Sequence, residues 1–182
     1  MQIVSERLFE VKAGSHTCKA IQAYLDARQL AADAWGRFCE KYGAEQYFAG
    51  DSLQGLLFDH GKQPEGWINP KHIGHSKVYR PNLRDRACKD AAQEFRALPS
   101  KPSSFKWLEM LDIPLHVGDR RSFKTPGFKK IEGTYYLTAT EGCAVPDDVD
   151  EVPGKEVVRL LEVHERELNQ PTTPDQEAAS DE

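Results

Sequence analysis

Two histidines and a cysteine are spaced in a way that could bind a metal ion. His72 and His75 are three residues apart, and Cys88 follows thirteen residues later. Imidazole nitrogen and thiolate sulfur are ligands that Zn²⁺ accepts, but a structural zinc site usually has four ligands. No close pair of cysteines supplies the remainder, and Cys88 falls on the inward side of a predicted helix. We therefore predict no metal site and no cofactor, and we interpret both histidines as solvated loop residues.

A serine nucleophile is the second chemistry that the residues suggest. Gly50-Asp51-Ser52-Leu53 spells the nucleophile block of the GDSL esterases, and in these four residues the chain resembles that family. The resemblance implies a flavodoxin-like sheet and a Ser-His-Asp triad, in which the histidine activates the serine. Here a long predicted helix precedes the motif, and His164 has no Asp three residues before it. The family's Gly-x-Asn-Asp block is also missing, so we predict that Ser52 lies in a turn and that the protein is not an enzyme.

A basic segment with interleaved aromatic residues is typical of nucleic-acid binding, because cations neutralise phosphates and aromatic rings stack on bases. Residues 61–130 carry 15 Lys and Arg against 7 Asp and Glu. The residues that we predict to bind a nucleic acid or another partner are Lys71, Lys77, Arg80, Arg84, Trp107, Arg120, Arg121, Lys124, Lys129 and Lys130. The segment also contains Arg86, Lys89 and Arg96, which we do not select. On the second predicted helix, Asp85, Asp90 and Glu94 dilute this positive charge.

Charge is distributed unevenly along the 182 residues. Residues 1–60 carry 6 Lys and Arg against 8 Asp and Glu, and residues 131–182 carry 3 against 14. The net charge of −5 therefore combines a basic middle with an acidic end. The acidic end could keep the protein soluble, imitate phosphates, hold the basic middle in check or dock on a basic partner. These alternatives stay open, because the sequence does not tell whether the two regions touch.

Composition favours a globular protein in a reducing compartment. Hydrophobic residues are 39% and charged residues 29% of the chain, which provides enough apolar material for a packed core. No run approaches the roughly 18 apolar residues of a membrane span, and residues 1–6 lack the features of an export signal. The four cysteines are too few for a disulfide scaffold. We therefore predict a cytoplasmic protein that does not enter a membrane.

A long amphipathic helix is the clearest structural prediction. It is capped by Ser15 or Thr17, runs to Tyr42 and stops at Gly43. Its seam residues alternate in steps of three and four and are Cys18, Ile21, Leu25, Arg28, Ala32, Trp35, Cys39 and Tyr42, with Tyr24, Ala31 and Phe38 widening the stripe. The width favours a helix that faces a core, although three heptads also fit a homodimer through residues 17–42.

Shorter elements complete the predicted fold. Strands are expected at residues 7–12, 113–117 and 134–140, and a strand or helical turn at residues 56–58. Helices are expected at residues 82–98 and 155–168, with one or two helical turns at residues 105–111. The last helix should turn Val157, Val158, Leu161 and Leu168 inward. Residues 70–81 and 146–153 are predicted as irregular segments, with Val78 and Tyr79 briefly extended.

These elements predict an α+β fold in a single domain over residues 1–169. The long N-terminal helix packs on a small, mainly antiparallel sheet, and two further helices accompany it. Few strands are separated by regular crossover helices, which argues against a doubly wound sheet. Residues 170–182 have no apolar anchor and are predicted to form a disordered acidic tail.

Four short motifs show a resemblance to known proteins. They are Gly66-Trp67, Tyr79-Arg80-Pro81-Asn82, Gly133-Thr134-Tyr135-Tyr136 and Val145-Pro146-Asp147, the last before a closing helix. In this arrangement the chain resembles small accessory proteins of tailed phages and prophages, which implies a role by contact and carries over no catalytic residue. We predict a non-enzymatic binding protein with a charge-polarised surface, directed at a host macromolecule. The alternatives are a nucleic-acid-binding protein using residues 71–130 and a serine hydrolase using Ser52.

Overall fold

The computed structural model describes residues 6–46, 56–58, 64–65, 67–73, 76–81, 84, 86–114 and 124–170. These residues form four helices and eight strands, which confirms the predicted α+β class. In chain order the elements are β1 (Arg7–Val11), α1 (His16–Tyr42), β2 (Ala44–Gln46), β3 (Leu56–Phe58), β4 (Trp67–Ile73), β5 (Ser76–Pro81), α2 (Arg86–Arg96), α3 (Ser104–Met110), β6 (Gly127–Ile131), β7 (Thr134–Ala139), β8 (Val149–Glu151) and α4 (Gly154–Asn169). Within this part of the chain, each helix is too short or too polar to cross a bilayer.

The chain divides into two compact units, one of which is inserted in the sequence of the other. Unit 1 comprises Met1–Ala23 and Ser103–Glu182, and unit 2 comprises Tyr24–Pro102. Helix α1 begins in unit 1 and ends in unit 2. The single domain expected over residues 1–169 stays a prediction, and residues 171–182 of the expected tail lie outside the described residues.

Unit 1 is built on a four-stranded antiparallel sheet with the strand order β6-β7-β1-β8. The central strand β1 pairs on one side with β7, where Phe9 is in register with Leu137. On its other side it pairs with β8, where the same residue is in register with Glu151. Strand β1 comes from the N-terminal end of the chain, so residues far apart in sequence build this sheet.

Helices cover both faces of that sheet. Successive side chains of a strand point to opposite faces, and on one face Leu8 packs in a buried cluster with Val157 and Leu160 of α4. On the other face, Trp107 of α3 packs against Phe128 of β6, with ring centroids 5.5 Å apart. The predicted antiparallel sheet is thus the core layer of unit 1.

Unit 2 contains a second four-stranded antiparallel sheet, in the order β2-β3-β5-β4, and the pair α1 and α2. Its buried cluster joins Phe38 of α1, Trp67 of β4, and Cys88, Ala91 and Phe95 of α2. The C-terminal half of α1 therefore packs on α2 and on the Trp67 side chain of this sheet.

Both ends of α1 follow the predicted signals. The Ser15 hydroxyl accepts a 3.1 Å hydrogen bond from the N–H of Cys18, which makes Ser15 the helix cap. At the other end the helix stops at Tyr42, and Gly43 follows with φ of 58°. A left-handed residue at this position favours glycine, so the predicted stop is confirmed.

The buried stripe of α1 differs from the predicted seam. Arg28 and Ala32, both predicted in the seam, are exposed. The buried residues of the helix are Thr17, Ala20, Ile21, Ala31, Ala34 and Phe38. A heptad seam assumes 3.5 residues per turn, and a straight helix drifts from it by about 20° in each heptad. The homodimer through residues 17–42 stays a prediction.

Two segments predicted as irregular are partly strands, so these predictions were wrong except at Val78 and Tyr79, which are extended as predicted. Residues 67–73 and 76–81 form the antiparallel pair β4 and β5, and Val149–Glu151 forms β8 beside β1. Neither segment shows the regular alternation that marks a strand in sequence. Their hydrogen bonds come from neighbouring strands, which override weak local preference.

Other differences are smaller. Helix α2 begins at Arg86, later than the predicted start at residue 82, and Arg84 lies in a turn. In α4 the buried residues are Val157 and Leu160, whereas Val158 and Leu168, predicted inward, are 44% and 71% exposed. Residues 113–114 lie outside any strand, and residues 115–117 are outside the described part of the chain.

Candidate functional site

Helix α2 has one buried side and one charged, exposed side. Its buried residues are small or aromatic and are Cys88, Ala91, Ala92 and Phe95. Its exposed residues include Arg86, Lys89, Asp90, Gln93 and Arg96. The apolar spacing therefore seats the helix on the core of unit 2 and turns a row of polar side chains outward. We call Arg86, Lys89 and Arg96 the cationic face of α2.

These three cations are aligned along the helix. At 100° per residue, positions 86, 89 and 96 fall within about 80° of one another around the axis, and at 1.5 Å per residue they span about 15 Å. In the part of the chain that the structure describes, none of the three takes part in a salt bridge. Their positive charge is therefore presented to solvent.

The two carboxylates of α2 act differently on this charge. Asp90 is exposed beside the cationic face, whereas Glu94 is held by α1. Glu94 Oε2 accepts a 2.6 Å hydrogen bond from the Tyr42 hydroxyl and lies 2.9 Å from Lys41 Nζ. The Tyr42 hydrogen bond and, after it, that of Lys41 hold the pKa of Glu94 below its ordinary value. The negative charge of Glu94 is thus balanced by Lys41 and Tyr42 of α1 and not by the cationic face.

Aromatic packing fixes α2 on α1. The Phe95 ring lies edge-on to Phe38, with centroids 5.7 Å apart, and edge-on to Trp35 at 6.3 Å. Phe38 in turn packs against Tyr42 at 4.8 Å. Such pairs add about 0.5 to 1.5 kcal/mol each beyond the area they bury. The cationic face is therefore carried by a helix with a well-packed support.

Four of the residues predicted for binding belong to unit 2. Lys71 lies on β4, where it is in register with Val78, and Lys77 and Arg80 lie on β5. Strand β5 contacts α2, but these three side chains are outside the description. Arg84, two residues before α2, is exposed. The backbone thus brings the predicted residues of β5 next to the helix that carries the cationic face.

The lysines predicted in unit 1 have partners or stand apart from α2 in sequence. Lys124 Nζ donates a 2.6 Å hydrogen bond to the carbonyl oxygen of Glu141. Lys129 Nζ lies 2.9 Å from Glu6 Oε1, with 28% of the lysine side chain exposed. Lys130 is exposed, and its ammonium lies 5.4 Å from the centroid of the Tyr135 ring. Predicted Arg120 and Arg121 lie outside the described residues.

Trp107 does not fit the stacking role predicted for it. The residue is 5% exposed, and its indole N–H donates a 2.7 Å hydrogen bond to the carbonyl oxygen of Pro126. A ring enclosed in this way has no face for a nucleic-acid base. The alternation of aromatic and basic residues that suggested stacking arises because Trp107 belongs to the apolar side of α3.

Two carboxylates of the acidic end form ion pairs with cations near the N-terminus of the chain. Arg7 Nε lies 2.7 Å from Glu151 Oε1, and the Lys12 ammonium lies 2.8 Å from Asp150 Oδ2. In α4, Arg159 is 2.6 Å from Glu156. Between the basic middle and the acidic end, Lys124 makes a contact with the backbone of Glu141. The two charged regions therefore do touch, through this contact and through the pairing of β6 with β7.

The alternative chemistries find little support in the described residues. Ser52 and His75 lie outside them, and Cys88 is fully buried in the core of unit 2. His72 belongs to β4 by its backbone, which corrects its interpretation as a loop residue. Across the described ranges, no three His, Cys, Asp or Glu side chains are grouped as metal ligands are.

Sequence reasoning did not select the residues of the cationic face for binding. Arg86, Lys89 and Arg96 belong to the basic segment, but the acidic residues of the same predicted helix reduce its net positive charge, and for this reason the three were not selected. Their spacing of three and seven residues was a usable signal, because it places them on the side opposite Cys88 and Phe95.

Comparison with known proteins assigns no family to this site. No family model, curated protein or solved structure matches the chain. The charge, exposure and support of α2 are therefore the basis for a function.

Proposed function

We propose that this protein is a non-enzymatic binding protein that contacts an anionic macromolecule through the cationic face of α2. The observation that supports the proposal is the alignment of Arg86, Lys89 and Arg96 over about 15 Å on one exposed side of a packed helix. Aligned cations that form no ion pair with another described residue attract polyanions and accelerate their association.

The distribution of charge between the units supports the same surface. Unit 2 carries 12 Lys and Arg against 10 Asp and Glu, whereas unit 1 carries 12 against 19. Within unit 2, residues 61–102 carry 9 against 4. An acidic protein with a cationic region of this kind has opposite charge on different surfaces, which orients it toward an anionic partner.

Three cations of unit 1 differ from those of the cationic face in having close carboxylate partners. Arg7, Lys12 and Lys129 face Glu151, Asp150 and Glu6, each pair separated by less than 3 Å. Binding a polyanion there would require breaking such a pair first. Arg86, Lys89 and Arg96 require no such exchange, so they are the better surface.

A role by contact agrees with the resemblance to accessory proteins of tailed phages and prophages. That resemblance remains a prediction, as does a cytoplasmic location. The proposal includes both, and it includes no reaction, because the candidate surface offers positive charge and no nucleophile.

Salt elution from phosphocellulose at neutral pH tests the proposal, because this matrix presents phosphates on a neutral polymer. The test variant combines Arg86→Gln, Lys89→Gln and Arg96→Gln. The matched control combines Lys19→Gln, Arg28→Gln and Arg37→Gln, which removes the same number of exposed cations from α1. We expect the wild-type protein to be retained despite its net charge of −5, and the test variant to elute at much lower salt.

The control variant should elute close to the wild-type protein. Far-UV circular dichroism of all three proteins should agree, since the substituted side chains are exposed. Equal elution of the test and control variants would show that net charge alone determines retention, and the proposal would then be abandoned.

A further inference from the structure

We infer that the anionic partner is double-stranded DNA, whose phosphates the cationic face of α2 contacts without stacking on bases. The inference rests on the proposed function and names the class of partner. It follows from three features of unit 2: the composition of the exposed side of α2, the burial of the aromatic rings around it, and the length of the helix.

The exposed side of α2 has the composition of a nucleic-acid interface. Arg86, Lys89, Asp90, Gln93 and Arg96 are all polar or charged. Interfaces between proteins have an apolar centre with large anchor residues, often aromatic. Interfaces with DNA are more polar and strongly positive. The absence of a large apolar side chain among these exposed residues therefore favours DNA over an acidic protein.

Three of the described aromatic rings beside α2 are packed within the core. Trp67 and Phe95 are 7% and 8% exposed, and Phe38 is 2% exposed. Proteins that bind single strands stack bases on exposed rings in a cationic groove. Because these rings pack on one another, contact with phosphates of a paired duplex is the mode that the site favours.

The dimensions of α2 suit B-form DNA. Its 11 residues extend about 16 Å, and a helix is about 10 to 12 Å wide with its side chains. The major groove of B-DNA is about 12 Å wide and admits a helix, whereas that of A-form RNA is deep and narrow. Each strand of the duplex carries one phosphate per 3.4 Å of helix axis, so a 15 Å length of the axis contains about four phosphates of one strand.

Fluorescence anisotropy tests the inference with three labelled probes of one sequence: a short DNA duplex, its single strand, and the RNA duplex. Each titration is repeated from about 50 to 200 mM salt. Three phosphate contacts predict a slope of log K against log salt of about −2.7, which is about 40-fold weaker binding across this range. The DNA duplex should bind more tightly than the other two probes.

Single variants give the sharpest test. Arg86→Gln, Lys89→Gln and Arg96→Gln should each reduce the slope to about −1.8, or about 12-fold across the same range. The control with Lys19→Gln, Arg28→Gln and Arg37→Gln should keep the wild-type slope.

Several results would overturn the inference. Equal or tighter binding of single-stranded DNA or of the RNA duplex would exclude the duplex-DNA mode. Equal competition by polyglutamate would identify an acidic protein as the partner class. Retention on phosphocellulose that depends on α2, without binding to any nucleic-acid probe, would overturn the DNA partner and leave the proposed function standing. If the protein neither bound the nucleic-acid probes nor was retained on phosphocellulose through α2, both the DNA partner and the proposed function would be overturned.

Discussion

The hydroxyl of Tyr42 donates a 2.6 Å hydrogen bond to Glu94 Oε2 and joins α1 to α2. Lys41 approaches the same carboxylate oxygen from α1 at 2.9 Å. The link both attaches the helix that carries the cationic face and removes one carboxylate from competition with it. Stability and electrostatics of α2 are thereby connected at a single contact.

Replacing Tyr42 by Phe should lower the free energy of unfolding by about 1 kcal/mol. A hydrogen bond to a charged group usually contributes more, but Glu94 is 41% exposed and solvent screens part of the interaction. Chemical denaturation followed by circular dichroism measures the change. Lys41→Gln is the comparison, because Lys41 is exposed and its loss should have a smaller effect. Equal effects of the two variants would contradict this account of the contact.

Asp148 should make the stability of the protein depend on pH. Its two carboxylate oxygens accept hydrogen bonds from the N–H of Thr17, at 2.9 Å, and from the Thr17 hydroxyl, at 2.5 Å. Burial by itself would raise the pKa of Asp148, but these hydrogen bonds outweigh it and lower the pKa. The stabilisation is therefore complete above the unfolded-state pKa of about 3.9 and is lost as the pH falls through the lower folded-state value.

Asp148→Asn should therefore cost about 1 kcal/mol at neutral pH, a typical value for a lost cap of a helix N-terminus. The difference from the wild-type protein should shrink as the pH falls below about 4. Thermal unfolding from neutral to acidic pH measures both. Asp147→Asn changes the same charge at an exposed neighbour and should leave the pH profile almost unchanged. A constant difference at all pH values would contradict the assignment.

The turn between β6 and β7 stores conformational strain at Glu132. Glu132 has φ of 50° and Gly133 has φ of 79°, and two successive positive φ angles in a two-residue hairpin turn favour Asn-Gly. Glu132→Asn should raise the free energy of unfolding by about 0.5 kcal/mol, because Asn adopts this conformation more readily than Glu. The ion pair with Arg159, at 3.4 Å, is exposed and its loss should cost little.

Gly133→Ala is the opposite control for this turn. No heavy atom lies within 4 Å of the added methyl group, so the cost is the backbone conformation alone, about 1 kcal/mol. Denaturation midpoints of the two variants should move in opposite directions. Destabilisation by Glu132→Asn would show that the side-chain contacts of Glu132 outweigh the strain.

Trp107→Phe should separate stability from binding. The substitution leaves the Pro126 carbonyl without its indole donor and creates a cavity, which together should cost about 2 kcal/mol. Retention on phosphocellulose should stay at the wild-type level, because the ring is 5% exposed. Weaker retention of this variant under folding conditions would restore the binding role that its sequence position suggested.

The ends of helices could be predicted where the signal is local. Ser15 and Gly43 define α1 because a side-chain cap and a left-handed terminator act on adjacent backbone groups. The heptad pattern gave only part of the buried side of the same helix: Ala31 and Phe38 are buried as predicted, whereas the seam positions Arg28 and Ala32 are exposed. Tertiary contacts select among several possible stripes.

Strands with polar sequences were harder to predict. β4 includes Pro70, and β8 has only three residues between Pro146 and Pro153. Each exists because a partner strand supplies hydrogen bonds, which come from the next strand for β4 and from the distant β1 for β8. Neither short sequence shows a periodic pattern that reveals this pairing. The candidate site, too, could be predicted only in part. The basic segment is visible in the sequence, but the alignment of Arg86, Lys89 and Arg96 on an exposed side depends on how α2 is oriented on the core.

The position of β1 has a consequence for biosynthesis. Its partners β7 and β8 are translated more than 120 residues after it, so a nascent chain emerging from the ribosome carries Arg7–Val11 unpaired while all of Tyr24–Pro102 is made. The inserted unit can complete its contacts first, and contacts between distant segments form slowly because long loops must close. The hydrophobic strand β1 therefore stays without its partner strands until β7 and β8 have been made.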